Sequence, residues 1–291
     1  MVAPDRDKLR RAFRLGPVRP EPLATRTEHV QAPREGELRE FLQRRHERFT
    51  VPPRPRVDLP PGEQIETAHG PLWRRELVYP ETFVHGTTPL ASALRLDGER
   101  LAELAKDATF GGLDAHRCLF LDTETTGLAG GAGTIVFAYG MAFFRGEQFV
   151  VEQLFLRDFG EELAMLHHVA ARLQEFPVPV TFVGKSFDRH RIAARMAVHK
   201  VRTPVLTAPH LDLYHLTRRA HGKAMPDTRL RTVEQHLLGL QRHDDLPGSE
   251  APAAFLDWIR DGTGPVDRVL EHNRLDVLSL AALLGVLAGR T

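Results

Sequence analysis

A chain of 291 residues has room for one large domain or two smaller ones. Its 42% hydrophobic and 26% charged residues are those of an ordinary globular protein. A formal net charge of +1, from 39 basic and 38 acidic residues, excludes a chain that works through bulk charge but not one with a local basic groove. The single cysteine, Cys118, rules out an intrachain disulfide framework and a multi-cysteine zinc site. It lies in an apolar run and reads as a small buried side chain, compatible with a reducing compartment. The start, "MVAPDRDKLRRAFRL", lacks the apolar centre of a signal peptide, and no stretch has the apolar length of a membrane span. The expectation is a soluble cytoplasmic protein with no membrane partner.

Residues 1–50 carry 12 Lys/Arg against 8 Asp/Glu, a difference of +4. "EGELREFLQRRHERF" (35–49) is a short helix candidate with few apolar positions. The arm reads either as a phosphate-backbone contact or as a solvated tail. "VPPRPRVDLPPG" (51–62) is a stiff, extended connector, so 1–62 is set apart as arm and linker. "EQIETAHGPLWRRELVYP" predicts two short strands around "AHGP", and "LRLDGERLAELAKD" (94–107) a short helix. Residues 63–110 are expected to pack as a lead-in layer on a main domain at 111–291.

From 116 the pattern tightens. "RCLFLDTE" is a buried strand, and "TIVFAYGMAFF" and "QFVVEQLFLR", joined by "RGE", are an antiparallel pair. "GEELAMLHHVAARLQEF" is a helix with Leu163, Leu166, Val169 and Leu173 down one side. "VPVTFVG" is a fourth strand, "FDRHRIAARMAVHK" a helix, and "PHLDLYHLTRRAH" a short strand entering a helix. "TRLRTVEQHLLGL", "APAAFLDWIRDG" and "PVDRVLEHNRLDVLSLAALLGVLAG" close the chain as helices, the last packing through Val269, Val277, Leu280 and Leu284. This order makes an α/β fold, a mixed sheet with helices on both faces. The antiparallel start argues for the ribonuclease H-like order over a flavodoxin-like one.

Asp122 and Glu124 end the first of these strands. Residues i and i+2 share a strand face, so the two carboxylates point the same way. Clustered carboxylates repel, and burial raises the cost. A hard divalent cation, Mg²⁺ or Mn²⁺, removes it. A solvated strand end is the alternative for these two acids alone. Asp188, in "GKSFDRH", opens a helix, and Asp276, in "EHNRLDVLSL", sits in the last helix one turn after His272.

With these phrases in view the chain resembles the DEDD-type 3′–5′ exonucleases. Within them it is similar to the bacterial YprB-like ribonuclease H-like family, on "FLDTETTGLAGG", "GKSFD", "RTVEQHLLG" and "EHNRLDVLSL". The resemblance covers most of 70–291 and none of 1–50. It implies hydrolysis of phosphodiester bonds in DNA or RNA at a single-stranded 3′ end. It also implies two Mg²⁺ or Mn²⁺ ions held by Asp122, Glu124, Asp188 and Asp276, with His272 handling the proton of the attacking water. The spacing of His272 is that of the subclass with tyrosine there, and Val183 stands where many relatives have Asn.

The glycine-rich turn 125–133 is either a connector or a backbone platform for the terminal nucleotide, with Thr125, Thr126 and Gly127 as the candidates. Lys185 and Ser186, at a strand-to-helix junction, are phosphate candidates. Asp212 is expected to shape the acidic cleft without ligating. "RRAHGK" with Arg229 and Arg231 are backbone-contact candidates, and "RHDDLPG" (242–248) has no role derivable from sequence. Two other functions compete: a nucleic-acid-binding module of this fold with weak or no catalysis, and a structure-dependent endonuclease.

Overall fold

A computed structural model describes residues 56–127 and 133–289. The basic arm, the helix expected at 35–49 and residues 128–132 of the glycine-rich turn lie outside the described residues.

The centre of the fold is β5 (Cys118–Thr125), and its alternation decides how two cores form. Leu119 and Leu121 enter one core, while Cys118 and Phe120 enter the other. A strand covered on both faces has to be apolar on both, which is why "CLFL" shows no polar alternation. Burial pushes the Cys118 thiol up to about 12, so it behaves as an apolar filler. β6 (Val136–Arg145) and β7 (Gln148–Phe155) continue the sheet as a hairpin, turned by Gly146 at φ +60°.

Two strands precede this core in sequence, β1 (Glu63–Thr67) and β2 (Gly70–Tyr79), and β2 pairs antiparallel with β7. Part of the lead-in segment therefore continues the sheet. β3 (Val84–His85) and β4 (Thr88–Pro89) form a separate small pair. α1 (Gly98–Ala105) follows, capped by Asp97, whose carboxylate accepts the Arg100 amide.

Beyond β7 come α2 (Glu162–Glu175), β8 (Val178–Thr181), α3 (Asp188–Val198), β9 (Leu211–Asp212) and α4 (Leu213–His221). β8 and β9 add to β5 in parallel, each reached through a helical crossover. The seven-stranded order is β1-β2-β7-β6-β5-β8-β9, antiparallel up to β5 and parallel beyond it. α5 (Leu230–Val233) runs on into a π-type turn, 234–238. α6 (Ala251–Asp261) and α7 (Val266–Ala288) complete the chain's described part.

In α2, Leu166, Val169 and Leu173 are buried and Leu163 packs at the core edge. α7 begins in one core, through Val266, Val269 and Leu270. It ends in the other, through Val277, Leu280 and Leu284. The stretch His272–Asp276 is where it changes over, beside β5 and β6. No helix among the described residues is long and apolar enough to cross a membrane.

Candidate active site

Asp122 pairs with Gly140 across β5 and β6, and Glu124 with Ala138, just before a register shift at Glu124/Thr125. A bulge at a strand end re-aims the side chains beside it. Glycine at 140 is required by what lies above it. A Cβ there would stand 2.4 Å from Asn273 Oδ1. Asn273 is fully buried; its Nδ2 donates to Asp122 Oδ2 at 2.8 Å, and its Oδ1 accepts from Gln153 Nε2 at 3.0 Å. Gln153 also donates to Leu270 O at 2.7 Å. The α7 backbone, Gln153, Asn273 and Asp122 thus form one chain of hydrogen bonds that fixes which way the Asn273 amide faces.

Burial holds the Asp122 carboxyl well above the usual carboxylate range, and the negative charges of Asp276 and Asp188 push it further. Glu124, 8% exposed, is raised in the same direction by burial, then by Asp122, Asp276, Asp188 and Asp245. Asp188, at the first position of α3, is raised by burial to about 6, although Thr123 opposes the shift. Four expected acids, from β5, α3 and α7, therefore share one electrostatic environment.

Among the described residues no three His, Cys, Asp or Glu side chains are grouped so as to hold an ion. Asp122, Asp188 and Asp276 each have partners within the protein. Asp188 Oδ1 accepts from Thr123 Oγ1 at 2.5 Å. Asp122 Oδ2 is taken by Asn273. Asp276 Oδ1 is ion-paired to Arg242 Nη2 at 2.6 Å. Arg242 is itself buried and ion-paired to the fully buried Glu234. Burial alone would lower the Arg242 guanidinium; Asp276 and Glu234 outweigh it and raise it. In kind, four carboxylates fit a hard divalent cation.

His272 and Asp276 share a face of α7, with Nε2 3.8 Å from Asp276 Oδ2. The histidine's other nitrogen, Nδ1, is 2.7 Å from Asp245 Oδ1. The "RHDDLPG" loop thus enters the site twice, through Arg242 and Asp245.

The turn before α3 is built around Asp212. This buried carboxylate accepts from Val183 N at 2.8 Å, Lys185 N at 3.0 Å and Tyr214 N at 3.1 Å. It braces the loop that presents Asp188 and caps α4. Gly184 is pressed against Thr181 and Asp188, where a Cβ would come within 2.7 Å of Asp188 Oδ2. Val183 has φ +65°, a left-handed conformation strained for a β-branched residue. Asn reaches it more easily, which gives the departure noted at this position a backbone meaning.

The substrate candidates stand as follows. Thr126 N donates to Ile135 O at 2.9 Å and its Oγ1 accepts from Ile135 N at 3.0 Å, so Thr126 closes the base of the glycine-rich turn. Thr125 Oγ1 donates to Gly127 O at 3.1 Å. The Thr126 amide is spent on Ile135, while the Thr126 hydroxyl keeps its proton and the Thr125 oxygen its lone pairs for a further partner. Lys185 and Ser186 side chains are exposed; the Asp107 carboxyl, lowered chiefly by its bonds from Thr109, is lowered a little further by the Lys185 charge.

Sequence reasoning missed Asn273, Gln153, Arg242 and Asp245. Asn273 had a local signal, as a polar residue on the buried stripe between Val269 and Val277. The other three depend on contacts across the fold.

Fold and site together mark a class. The chain matches the RNase_H superfamily over residues 119–288, more than half its length, and it belongs to that superfamily. It is 33% identical over 214 residues to the uncharacterized protein YprB of Bacillus subtilis (strain 168), covering 72% of this chain and 51% of that protein. The chain thus spans about half the length of that relative. Among solved structures it resembles the family B DNA polymerase of Pyrobaculum calidifontis at 16% identity and a TM-score of 0.45, over 57% of this chain and 24% of the polymerase.

Proposed function

We propose that this chain hydrolyses phosphodiester bonds in DNA or RNA with bound Mg²⁺ or Mn²⁺, removing nucleotides from a single-stranded 3′ end. The observation that carries the reading is the acidic cluster itself. Asp122 and Glu124 are held above the carboxylate range by burial and by Asp276 and Asp188, an arrangement that disfavours the metal-free ionised state. Asp122, Glu124, Asp188 and Asp276 would hold the ions. A divalent ion there supplies charge neutralisation at the phosphate and a more acidic water.

The chain's own residues do the rest. Asn273 fixes the Asp122 carboxylate from the α7 side. The Asp212-braced turn presents Asp188. His272 Nε2, beside Asp276, accepts the proton of the attacking water. The pairing of Arg242 with Asp276 favours a second reading, a nucleic-acid-binding module of the same fold with weak or no hydrolysis.

End-labelled single-stranded and duplex DNA and RNA, incubated with Mg²⁺, Mn²⁺ or chelator at neutral pH, separate the readings. A metal-dependent ladder receding from the 3′ end supports the proposal. Internal cuts would make the chain an endonuclease, and binding without cleavage would support the second reading.

A further inference from the structure

The loop 242–248 carries a residue with no role in the reading so far. Asp245 Oδ1 lies 2.7 Å from His272 Nδ1, and its Oδ2 lies 3.4 Å from Arg242 Nη1. Both carboxylate oxygens are therefore occupied, one by an imidazole and one by a guanidinium that is itself tied to Glu234 and Asp276. We propose that Asp245 is the positioning residue for His272, fixing its ring with the proton on Nδ1 and leaving the Nε2 lone pair open beside Asp276. This rests on the proposed proton-accepting role of His272.

The tautomer follows from donor and acceptor counting. An ionised carboxylate only accepts, so at 2.7 Å the Nδ1 must donate. Arg242 Nη1 also approaches Nδ1, at 3.5 Å, and would need it as an acceptor. The shorter, charge-assisted contact to Asp245 wins. Nε2 is then the acceptor nitrogen. It faces Asp276 Oδ2 at 3.8 Å and has Gly248 beside it, where even a Cβ would stand 3.7 Å away. A longer side chain at 248 would shade the nitrogen that has to meet the water.

Asp245→Asn should reverse this arrangement with little change in shape. Arg242 offers only donors, so the Asn oxygen turns to it and the amide NH₂ turns to His272. Nδ1 is then forced to accept, the ring proton moves to Nε2, and the acceptor facing the water is lost. A wrong tautomer at a histidine base costs orders of magnitude in rate while leaving the fold intact.

The test is nuclear magnetic resonance of the metal-free full chain, isotope-labelled at the histidine ring nitrogens, at a pH of about 8, above the ordinary imidazole range of about 6.5. His272→Gln assigns the signal among the 15 histidines. The parent should carry the proton on Nδ1 and Asp245→Asn on Nε2. In parallel, single-turnover hydrolysis of end-labelled single-stranded DNA at saturating Mn²⁺ should fall by about 10²-fold or more in the variant, with Mn²⁺ affinity near that of the parent.

A parent protonated on Nε2, or a variant that keeps the proton on Nδ1, overturns the inference. The parent measurement decides even where the variant folds poorly. A tautomer that switches with no change in rate upholds the positioning by Asp245 and removes His272 from the proton transfer. If the parent hydrolyses nothing, the nuclease reading fails and the tautomers still decide this inference.

Discussion

Replacing Arg242 with Met keeps an unbranched, somewhat shorter side chain and deletes its charge. In the parent, the buried guanidinium faces Glu234, Asp276 at 2.6 Å and Asp245 at 3.4 Å. Unit charges about 4 Å apart attract by about 4 kcal/mol at an effective dielectric near 20, and part of that is offset by the cost of burying the guanidinium. Removing one partner of a buried ion pair costs about 3–5 kcal/mol, because the remaining charges are left uncompensated. We expect Arg242→Met to lose about that much stability in urea melts at neutral pH with chelator present. Arg242→Lys should fall between, since it keeps the charge and loses the planar fork. Mn²⁺ sharpens the experiment. At 100 times its Kd, a ligand that binds only the folded state returns about 2.7 kcal/mol. It should return more in Arg242→Met than in the parent, where the ion competes with the guanidinium for Asp276. A variant within about 0.5 kcal/mol of the parent without metal, or a larger Mn²⁺ stabilisation in the parent, would refute the idea that Arg242 balances these acids.

Val183→Asn should stabilise the protein by about 1 kcal/mol in urea, because Asn tolerates the left-handed backbone that costs Val about 1–2 kcal/mol; a loss of stability would mean that Val183 packing matters more than its φ. Gly140→Ala should lower stability by about 1–3 kcal/mol by overpacking and weaken Mn²⁺ binding, since its Cβ meets the Asn273 amide that holds Asp122; melting alongside calorimetric titration checks both. Burial lowers the His85 imidazole to about 4, with Arg242 and Arg274 adding to the shift. The unfolded value is about 6.5, so the stability from a neutral His85 is complete above that pH and is lost as the pH falls toward about 4. Between pH 7 and pH 4.5 the parent should lose about 2 kcal/mol more than His85→Gln. Equal losses would show that His85 charges freely in the fold.

Much of the fold was legible because it rests on local pattern. The unbroken apolar run before Asp122 announced a strand buried on both faces, and α7 announced itself by Val269, Val277, Leu280 and Leu284. Asp122 and Glu124 were legible as a pair because a strand's period is two. What pattern does not carry is pairing across the fold. Gly140 reads as a weak strand residue until Asn273, from the last helix, is seen above it. Arg242 and Asp245 read as a charged loop until they meet Asp276 and His272 about 30 residues later in sequence. Thr126 was read as part of a possible ligand platform from its place in a glycine-rich turn; the two bonds to Ile135 that close that turn are invisible in either half alone. Asp212 was expected to shape the cleft without ligating; its three amide contacts, which brace the turn presenting Asp188, come from across that turn and the next helix and were not legible.

The central claim, that the acids at the end of β5 hold divalent ions for phosphodiester hydrolysis, is tested most directly at Asp122. Single-turnover digestion of 5′-end-labelled single-stranded DNA and RNA at saturating Mn²⁺ should give a ladder shortening from the 3′ end in the parent. With Asp122→Asn the rate should fall by about 10³-fold or more, while the variant stays folded and, in chelator, is at least as stable as the parent, because one of the mutually repelling buried charges is gone. A parent that cleaves at the same rate in chelator, or an Asp122→Asn variant that cleaves as fast as the parent, would contradict the account.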